Sequence, residues 1–144
     1  QVITELELLH SPYFLFVAHP FRYQSDRPQE LDQILAQVHG IEMNSVNILQ
    51  GQARKDKDKY LPTNMNSYLK AQKDSDLIAL FNSDAHHEDS LGSIANSIKV
   101  PYLPENEVQL ASLLKTQEIQ EYQNSKLLTK ALGDYAHKHK YFLF

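Results

Sequence analysis

Histidine and aspartate side chains follow two apolar runs of this sequence, at the point where each run ends. His19 comes directly after the run Tyr13–Ala18, and Asp84 and His86 follow the run Leu77–Phe81 within five residues. Imidazole and carboxylate together are typical ligands of Zn, Mn or Fe ions, and such a site needs no thiolate. The three residues are therefore candidate metal ligands.

The two apolar runs predict strands of a parallel sheet. Each is short and continuous, which is typical of a strand buried on both faces. A further short strand is predicted at Ile41–Met43. Because the carboxyl ends of parallel strands meet at one edge, neighbouring strands here would bring His19, Asp84 and His86 together. Asp84 and His86 are two residues apart, so in an extended segment they would also point to the same side.

Helical patterns separate the predicted strands. They cover Val2–His10, Pro28–Val38, Asn64–Lys73, Pro104–Leu114 and Ser125–His139. The polar segment Asn44–Thr63, with the charged run Arg54–Lys59, predicts a solvated surface loop or, alternatively, a mobile loop that faces a substrate. Ser97–Tyr102 is a further candidate strand. This alternation predicts an α/β fold with a parallel sheet.

Composition indicates an ordinary globular domain and excludes several classes of protein. The 144 residues suit one domain, and 42% of them are hydrophobic. The net charge of -4 argues against a dedicated nucleic-acid-binding surface, and the absence of cysteine excludes disulfides and thiolate metal sites. The apolar runs are too short to span a membrane, and no signal-peptide pattern opens the chain, so a cytoplasmic location is expected. Because the first residue is Gln1, we expect the chain to begin inside a longer gene product.

Short motifs make the sequence similar to one known family. The segment Val17–Tyr23 (VAHPFRY) resembles the Ala-His-Pro motif of polymerase-and-histidinol-phosphatase (PHP) domains. Gly40–Asn44 (GIEMN) resembles their Gly-Ile-Glu stretch, and Asn82–His86 (NSDAH) resembles their Gly-Ser-Asp-Ala-His motif. Leu91 and Gly92 match the pair that follows. The motifs occur in the family's order, and the resemblance covers most of residues 13–122.

The resemblance implies the C-terminal portion of a distorted seven-stranded (β/α) barrel whose N-terminal strands are missing from this chain. Residues 1–144 would be a single partial domain, with residues 123–144 as a C-terminal helix and tail. The implied activity is divalent-metal-dependent hydrolysis of a phosphate monoester or diester of a small molecule or nucleotide. The complete domain would hold two or three Mn, Zn or Fe ions.

The resemblance also implies roles for individual residues. His19, Asp84 and His86 would be metal ligands, and Asp84 and His86 would in addition be catalytic. Arg22 and Tyr23 would bind the substrate, with the Arg22 guanidinium gripping its phosphate; an alternative for Arg22 is a surface ion pair. Glu42 would either orient the site or serve a structural hydrogen bond.

The sequence departs from the family pattern at two points. Asn82 stands where the family usually has glycine, and the family's His-x-His motif and further upstream ligands have no counterpart before His19 other than His10. We therefore expect this fragment to be inactive and a missing N-terminal segment or a second subunit to complete the barrel. Two alternatives stay open: a non-catalytic PHP-derived binding or regulatory module, and a nucleic-acid exonuclease or polymerase-associated PHP domain. The other histidines are interpreted as surface or turn residues: His39, His87, His137 and His139.

Overall fold

The chain folds into a mixed α/β structure, as the sequence predicted. A computed structural model describes residues 2–8, 10–22, 25–56 and 59–139. Its elements in chain order are α1 (Val2–Leu8), β1 (Phe16–Val17), α2 (Gln29–Leu35), β2 (Gly40–Asn44), α3 (Val46–Gln52), β3 (Ala53–Asp56), β4 (Lys59–Pro62), α4 (Met65–Asp74), β5 (Ile78–Phe81), a 3₁₀ turn (Glu88–Ser90), β6 (Ile94–Ile98), α5 (Glu107–Thr116), β7 (Ile119–Gln123) and α6 (Ser125–His139). Within these ranges the strands form three small sheets and no closed barrel. No described helix is both long and apolar enough to cross a membrane.

Three parallel strands form the sheet that positions the candidate ligands. The order is β1-β2-β5, with Phe16 opposite Gly40 and Glu42 opposite Leu80. The expectation that β1 and β5 are direct neighbours is therefore wrong, because β2 lies between them. All three strands nevertheless run in the same direction, so their carboxyl ends lie at one edge of the sheet.

Side chains alternate between the two faces of β2. Ile41 and Met43 enter a buried core. Its further members come from helices α2, α3 and α4, from the turn after β1 and from the residue directly before β5; they are Phe21, Leu35, Ile48, Tyr68, Ala71 and Leu77. Glu42 points to the opposite face, as strand geometry requires. Gly40 is needed on that face, because a Cβ there would lie 2.9 Å from the Ile78 carbonyl oxygen and 3.1 Å from a ring carbon of Phe14.

The first strand is shorter and more exposed than predicted. Only Phe16–Val17 pairs with β2, and the Phe16 side chain is 44% exposed. Because β1 is an edge strand, its outer side has no neighbour among the described residues. A cavity of about 560 Å³, lined by Phe14, Phe16, Leu110 and Leu114, separates this sheet face from α5. The prediction of a strand buried on both faces is therefore wrong for β1.

The polar segment after β2 is not a loop. Residues Val46–Gln52 form α3, and the charged run contributes to the antiparallel hairpin of β3 and β4, with residues 57 and 58 outside the described ranges. Val46 and Leu49 are buried in a second core, together with Ile94, Leu128 and Leu132. Val46 and Leu49 are spaced as on one helix face, but the neighbouring polar residues Asn47 and Gln50 hid the pattern.

The C-terminal part differs from prediction in its strands and agrees in its last helix. β6 and β7 form an antiparallel hairpin, with Ile94 opposite Gln123. The strand predicted at Ser97–Tyr102 therefore lies earlier, at Ile94–Ile98, and β7 was not predicted. Helix α5 begins after Asn106 and not at Pro104. The Asn106 side-chain oxygen accepts a hydrogen bond from the Gln109 backbone N–H at 3.0 Å. An N-cap side chain that satisfies an orphan N–H fixes the helix start more firmly than a nearby proline does. Helix α6 spans Ser125–His139, as predicted.

Candidate functional site

A tight turn follows β1 and carries the first candidate ligand. The Arg22 N–H donates to the His19 carbonyl at 3.2 Å, and His19 has a left-handed backbone with φ of 32°. Phe21 anchors the turn, because its ring is buried and meets the Tyr68 ring edge to face at 5.1 Å. Its N–H donates to the Tyr68 hydroxyl at 3.3 Å, and its carbonyl accepts from Asn64 at 2.7 Å. Helix α4 therefore holds the turn that presents His19 and Arg22.

The segment after β5 carries the other two candidate ligands. Asp84 has a φ of 42°, so the segment is not extended and the sequence argument about its side-chain directions does not apply. The Asp84 N–H donates to the Asn82 side-chain oxygen at 2.8 Å. The amide of Asn47 donates to the Asp84 carbonyl at 3.1 Å and to its carboxylate Oδ2 at 2.5 Å. Asn47 and Asn82 thus fix both the backbone and the carboxylate of Asp84.

Glu42 connects the two segments at the end of the central strand. Its carboxylate is buried, at 1% exposure, and accepts the His19 N–H at 2.6 Å and the Asn82 amide at 2.5 Å. Burial raises the pKa of the Glu42 carboxyl, while the hydrogen bonds from His19 and Asn82 lower it in part. Glu42 therefore connects both segments through hydrogen bonds, which agrees with either of the two roles given for it from the sequence.

Two of the candidate ligands, His19 and His86, lie close to the third, Asp84. The His19 Nε2 atom lies 3.7 Å from Asp84 Oδ2, and the His86 Nε2 atom lies 3.8 Å from Asp84 Oδ1. These distances are too long for hydrogen bonds. They are slightly wider than the roughly 3.4 Å expected between two ligands of one tetrahedral ion with metal–ligand distances of about 2.1 Å.

Two features qualify this convergence. Asp84 lies between the two imidazoles, and as the side chains stand no three His, Cys, Asp or Glu residues in the described part of the chain form a group that could hold an ion. His19 and Asp84 both have left-handed backbones, which non-glycine residues seldom adopt and which the surrounding hydrogen bonds must maintain. Hydrogen bonds therefore hold the backbone of the site, and its described side chains do not form a metal-ligand group as they stand.

The cluster opens into a cavity of about 410 Å³. Arg22, Asp84 and His86 line it, together with Asn47 and other polar groups. Small-molecule sites usually have volumes of roughly 300 to 1,000 Å³, so the cavity suits a small ligand. The predicted substrate residue Arg22 therefore shares a cavity with two candidate ligands, whereas Tyr23 lies outside the described residues.

Several lining residues were not predicted from the sequence. They come from helices α3 and α6 and from the segment around the 3₁₀ turn, and they are Asn47, Gln50, His87, Asp89, Asp134 and Tyr135. His87 had been interpreted as a surface residue; it is exposed, but it also lines the cavity. Of these residues, only Asn47 could have been predicted from the sequence, because it follows the end of β2 by three residues. No local pattern marks α6 as part of the site.

The other histidines lie away from the cluster or at the surface. His39 is half-buried at the bend directly before β2. Its Nδ1 accepts the Leu15 N–H at 3.1 Å, and its ring packs against Tyr13 and Phe14. Burial, and then the charge of Lys115, lowers its pKa, so it is a neutral structural imidazole. His10 and His137 are exposed and line neither cavity.

Comparison with known proteins adds no relative. No protein-family model matches the chain, and no curated protein or solved structure matches it significantly. Functional inference therefore depends on the motifs and on the geometry of the cluster around Asp84.

Proposed function

We propose that this chain is part of a divalent-metal-dependent phosphoesterase and forms the C-terminal portion of a PHP-type barrel. The observation that carries the proposal is that His19 and His86 lie on either side of Asp84 at the carboxyl ends of parallel strands. Asp84 and His86 also share a cavity with Arg22. These residues are distant in sequence. Hydrophobic packing alone does not require two imidazoles and a carboxylate to meet at this edge.

The chemistry of the donor set fits a divalent ion. Imidazole and carboxylate side chains are ligands that Zn, Mn and Fe accept. Asp84 and two further carboxylates of the cavity, Asp89 and Asp134, are accompanied by the guanidinium of Arg22. This lining has an excess of negative charge, which attracts cations. Bound divalent ions would supply a water of lowered pKa and would neutralise charge on a phosphate.

Asp84 and Arg22 have different roles in this proposal. Asp84 is held by Asn47 in one orientation, so its two oxygens face His19 and His86 without rearrangement. Arg22 binds the substrate phosphate, because its planar guanidinium matches two phosphate oxygens at once. The substrate is a phosphate ester of a small molecule or nucleotide, a ligand whose size the cavity of about 410 Å³ suits.

The partial-barrel interpretation agrees with the open side of the sheet. The β1 edge is unpaired among the described residues, and Phe16 and Leu110 are 44% and 43% exposed beside the cavity of about 560 Å³. An apolar sheet edge of this kind is an association liability unless another segment covers it. A missing N-terminal segment or a second subunit would cover this face and supply the further ligands. Light scattering that showed this chain to be strictly monomeric at high concentration would contradict the partial-barrel interpretation.

A second candidate is a non-catalytic binding module that retains the PHP framework. The observation that favours it is the lack, in the ranges described above, of a group of three side chains able to hold an ion as they stand. Such a module would still use Arg22 and the cavity to bind a phosphorylated ligand. It differs from the enzyme in having no bound metal when the full-length protein is purified.

One experiment separates the two candidates. The full-length protein that contains this chain is purified, its metal content is measured by mass spectrometry, and hydrolysis of a panel of phosphate esters is assayed. For the enzyme, Asp84→Ala abolishes turnover and lowers metal content, Arg22→Ala keeps the metal and mainly raises KM, and the exposed control Glu105→Gln changes neither. Absence of bound metal, together with no hydrolysis of any ester, supports the non-catalytic module. Near-normal activity of Asp84→Ala would overturn the metallo-phosphoesterase proposal.

A further inference from the structure

The edge strand β1 is joined to its neighbour through a histidine side chain as well as through the backbone. The backbone N–H groups of His39 and Gly40 donate to the Leu15 carbonyl at 2.8 Å and 3.1 Å. In return, the Leu15 N–H donates to Nδ1 of the His39 imidazole at 3.1 Å. Beyond this point only Phe16 and Val17 pair with β2. The contact between His39 and Leu15 is therefore a main attachment of β1 to the sheet.

Neighbouring rings hold the imidazole of His39 in its orientation. Its ring meets the Tyr13 ring edge to face, with the ring centroids 5.3 Å apart, and stacks on the Phe14 ring at 5.5 Å. The His39 carbonyl accepts the Ile78 N–H at 3.0 Å, which attaches the same residue to β5. These contacts keep Nδ1 directed at Leu15.

Only the neutral imidazole can accept the hydrogen bond from Leu15. Protonation of His39 makes Nδ1 a donor, so that two N–H groups face each other across 3.1 Å. The Leu15 carbonyl offers no alternative, because its two lone pairs already accept the N–H groups of His39 and Gly40. The protonated state therefore loses the side-chain hydrogen bond and leaves the Leu15 N–H without its partner.

The titratable groups that face His39 do not favour its protonation. They are the Tyr13 phenol and the ammonium group of Lys115 on α5, whose nitrogen lies 5.2 Å from the centre of the Tyr13 ring. Gly40 and Ile78, the strand residues beside it, carry no titratable group. Among the described residues no carboxylate forms an ion pair with His39. The nearest charge is therefore a cation, which opposes a second one.

The pKa of His39 sets the direction of the pH dependence. Burial, and then the charge of Lys115, lowers this pKa from its ordinary 6.5, while contact with the Leu15 backbone raises it in part. Because the pKa in the folded state is the lower one, the neutral form and its hydrogen bond are present above pH 6.5. Both are lost as the pH falls through the lowered pKa.

Separate contacts hold the chain on the other side of β1. The His19 N–H donates to Glu42 at 2.6 Å, and the N–H and carbonyl of Phe21 are both bonded to α4. The segment Tyr13–Phe16, called the outer segment below, has less support. Within the described ranges its first two residues make no backbone hydrogen bond, and its last is 44% exposed. Loss of the bond at Leu15 therefore affects the outer segment and not the turn after β1.

We propose that His39 is a pH-sensitive switch at the edge of the sheet. Its neutral imidazole holds the outer segment against β2, and its protonation releases that segment while the turn that carries His19 and Arg22 stays in place. Tyr13, Phe14 and Phe16 line the cavity of about 560 Å³ beside α5, so the release changes one wall of this cavity. The switch requires neither a bound metal nor the proposed activity.

The test is amide hydrogen exchange of the full-length protein that contains this chain, resolved to single amides by mass spectrometry. It runs from about pH 8 to about pH 4.5, with correction for the intrinsic pH dependence of exchange. In His39→Asn the amide oxygen replaces Nδ1 as an acceptor for Leu15 and does not titrate. Lys115→Gln removes the neighbouring positive charge. His137→Asn and Lys126→Gln are the matched controls, because both positions are exposed and line neither cavity.

The expected result is a local and titratable loss of protection. In the wild type, protection of the Leu15 N–H falls by about tenfold or more as the pH is lowered, with a midpoint below pH 6.5. Protection of β2 and of the His19 N–H stays unchanged. His39→Asn keeps Leu15 protected throughout, Lys115→Gln moves the midpoint to higher pH, and both controls behave like the wild type.

Three results overturn the proposal. An equal fall of Leu15 protection in His39→Asn means that other groups, such as carboxylates, control the outer segment. Constant protection in the wild type means that the segment is not released. An equal loss in β2 reports global unfolding and not a local switch. If His39→Asn does not fold, Lys115→Gln decides, because an unshifted midpoint contradicts the role of His39.

Discussion

Exchanging the hydrogen-bonding partners Glu42 and Asn82 tests how the ends of the three parallel strands are held together. Glu42 Oε2 accepts the His19 N–H, and Glu42 Oε1 accepts the Asn82 amide, while the Asn82 oxygen accepts the Asp84 N–H. In Glu42→Gln one carboxylate oxygen becomes an NH₂ group. Whichever way the new amide turns, that NH₂ group faces either the His19 N–H or the Asn82 NH₂. Asn82 has no better orientation, because turning its amide over would place NH₂ against the Asp84 N–H.

The burial of Glu42 determines how much Glu42→Gln should lower the free energy of unfolding. Glu42 is 1% exposed, so water does not replace the lost acceptor. One buried donor without a partner costs about 1–3 kcal/mol, and Glu42→Gln should lower the free energy of unfolding by this amount. Asn82→Asp alone brings two carboxylates into contact and should also destabilise the chain at neutral pH. The double variant Glu42→Gln/Asn82→Asp restores every donor–acceptor pair and the total charge, and should recover most of the loss.

The assay is urea-induced unfolding of the wild type, the two single variants and the double variant, followed by circular dichroism. Glu105→Gln is the control, since an exposed substitution should change stability by less than about 0.5 kcal/mol. The double-mutant cycle should give a favourable coupling energy between positions 42 and 82 of about 0.5–3 kcal/mol. Additive single effects, with no recovery in the double variant, would refute the view that Glu42 ties these strand ends through paired hydrogen bonds.

Three further predictions follow from other parts of the structure. His39 has a pKa lowered below its ordinary 6.5, so its neutral form stabilises the fold above that pH and this contribution is lost as the pH falls. Unfolding measured from about pH 7 to pH 5 should therefore show a smaller loss of stability in His39→Leu than in wild type; equal losses would contradict this role. Gly40→Ala places a Cβ 2.9 Å from the Ile78 carbonyl oxygen and should cost about 1–3 kcal/mol in urea unfolding, whereas a negligible change would mean that β2 and β5 can separate without strain. Asn47→Ala removes the donor to the Asp84 carboxylate and should weaken Mn²⁺ binding to the full-length protein by about tenfold or more, as titration calorimetry would show; unchanged affinity would exclude Asn47 from orienting Asp84.

The sequence by itself determined which residues end the parallel strands. Strands were predicted at Ile41–Met43 and Leu77–Phe81 and occur at Gly40–Asn44 and Ile78–Phe81, and His19, Asp84 and His86 were assigned to strand ends. Such predictions succeed because apolar runs and strand alternation are local properties. Parallel direction then brings the carboxyl ends of separate strands to one edge, so local information was enough to gather the three candidate ligands.

Only the tertiary structure decided how that edge is assembled and what surrounds it. It placed β2 between β1 and β5, exposed Phe16 at an unpaired edge, and brought Asn47 to Asp84 across 37 residues of sequence. It also carried Asp134 and Tyr135 of α6 to the same cavity. These contacts depend on strand order and on the packing of helices in the second core. The apolar periodicity of a segment does not indicate which distant surface its side chains will contact. The polar residues that line this cavity do not alter that apolar pattern, so the pattern could not predict them.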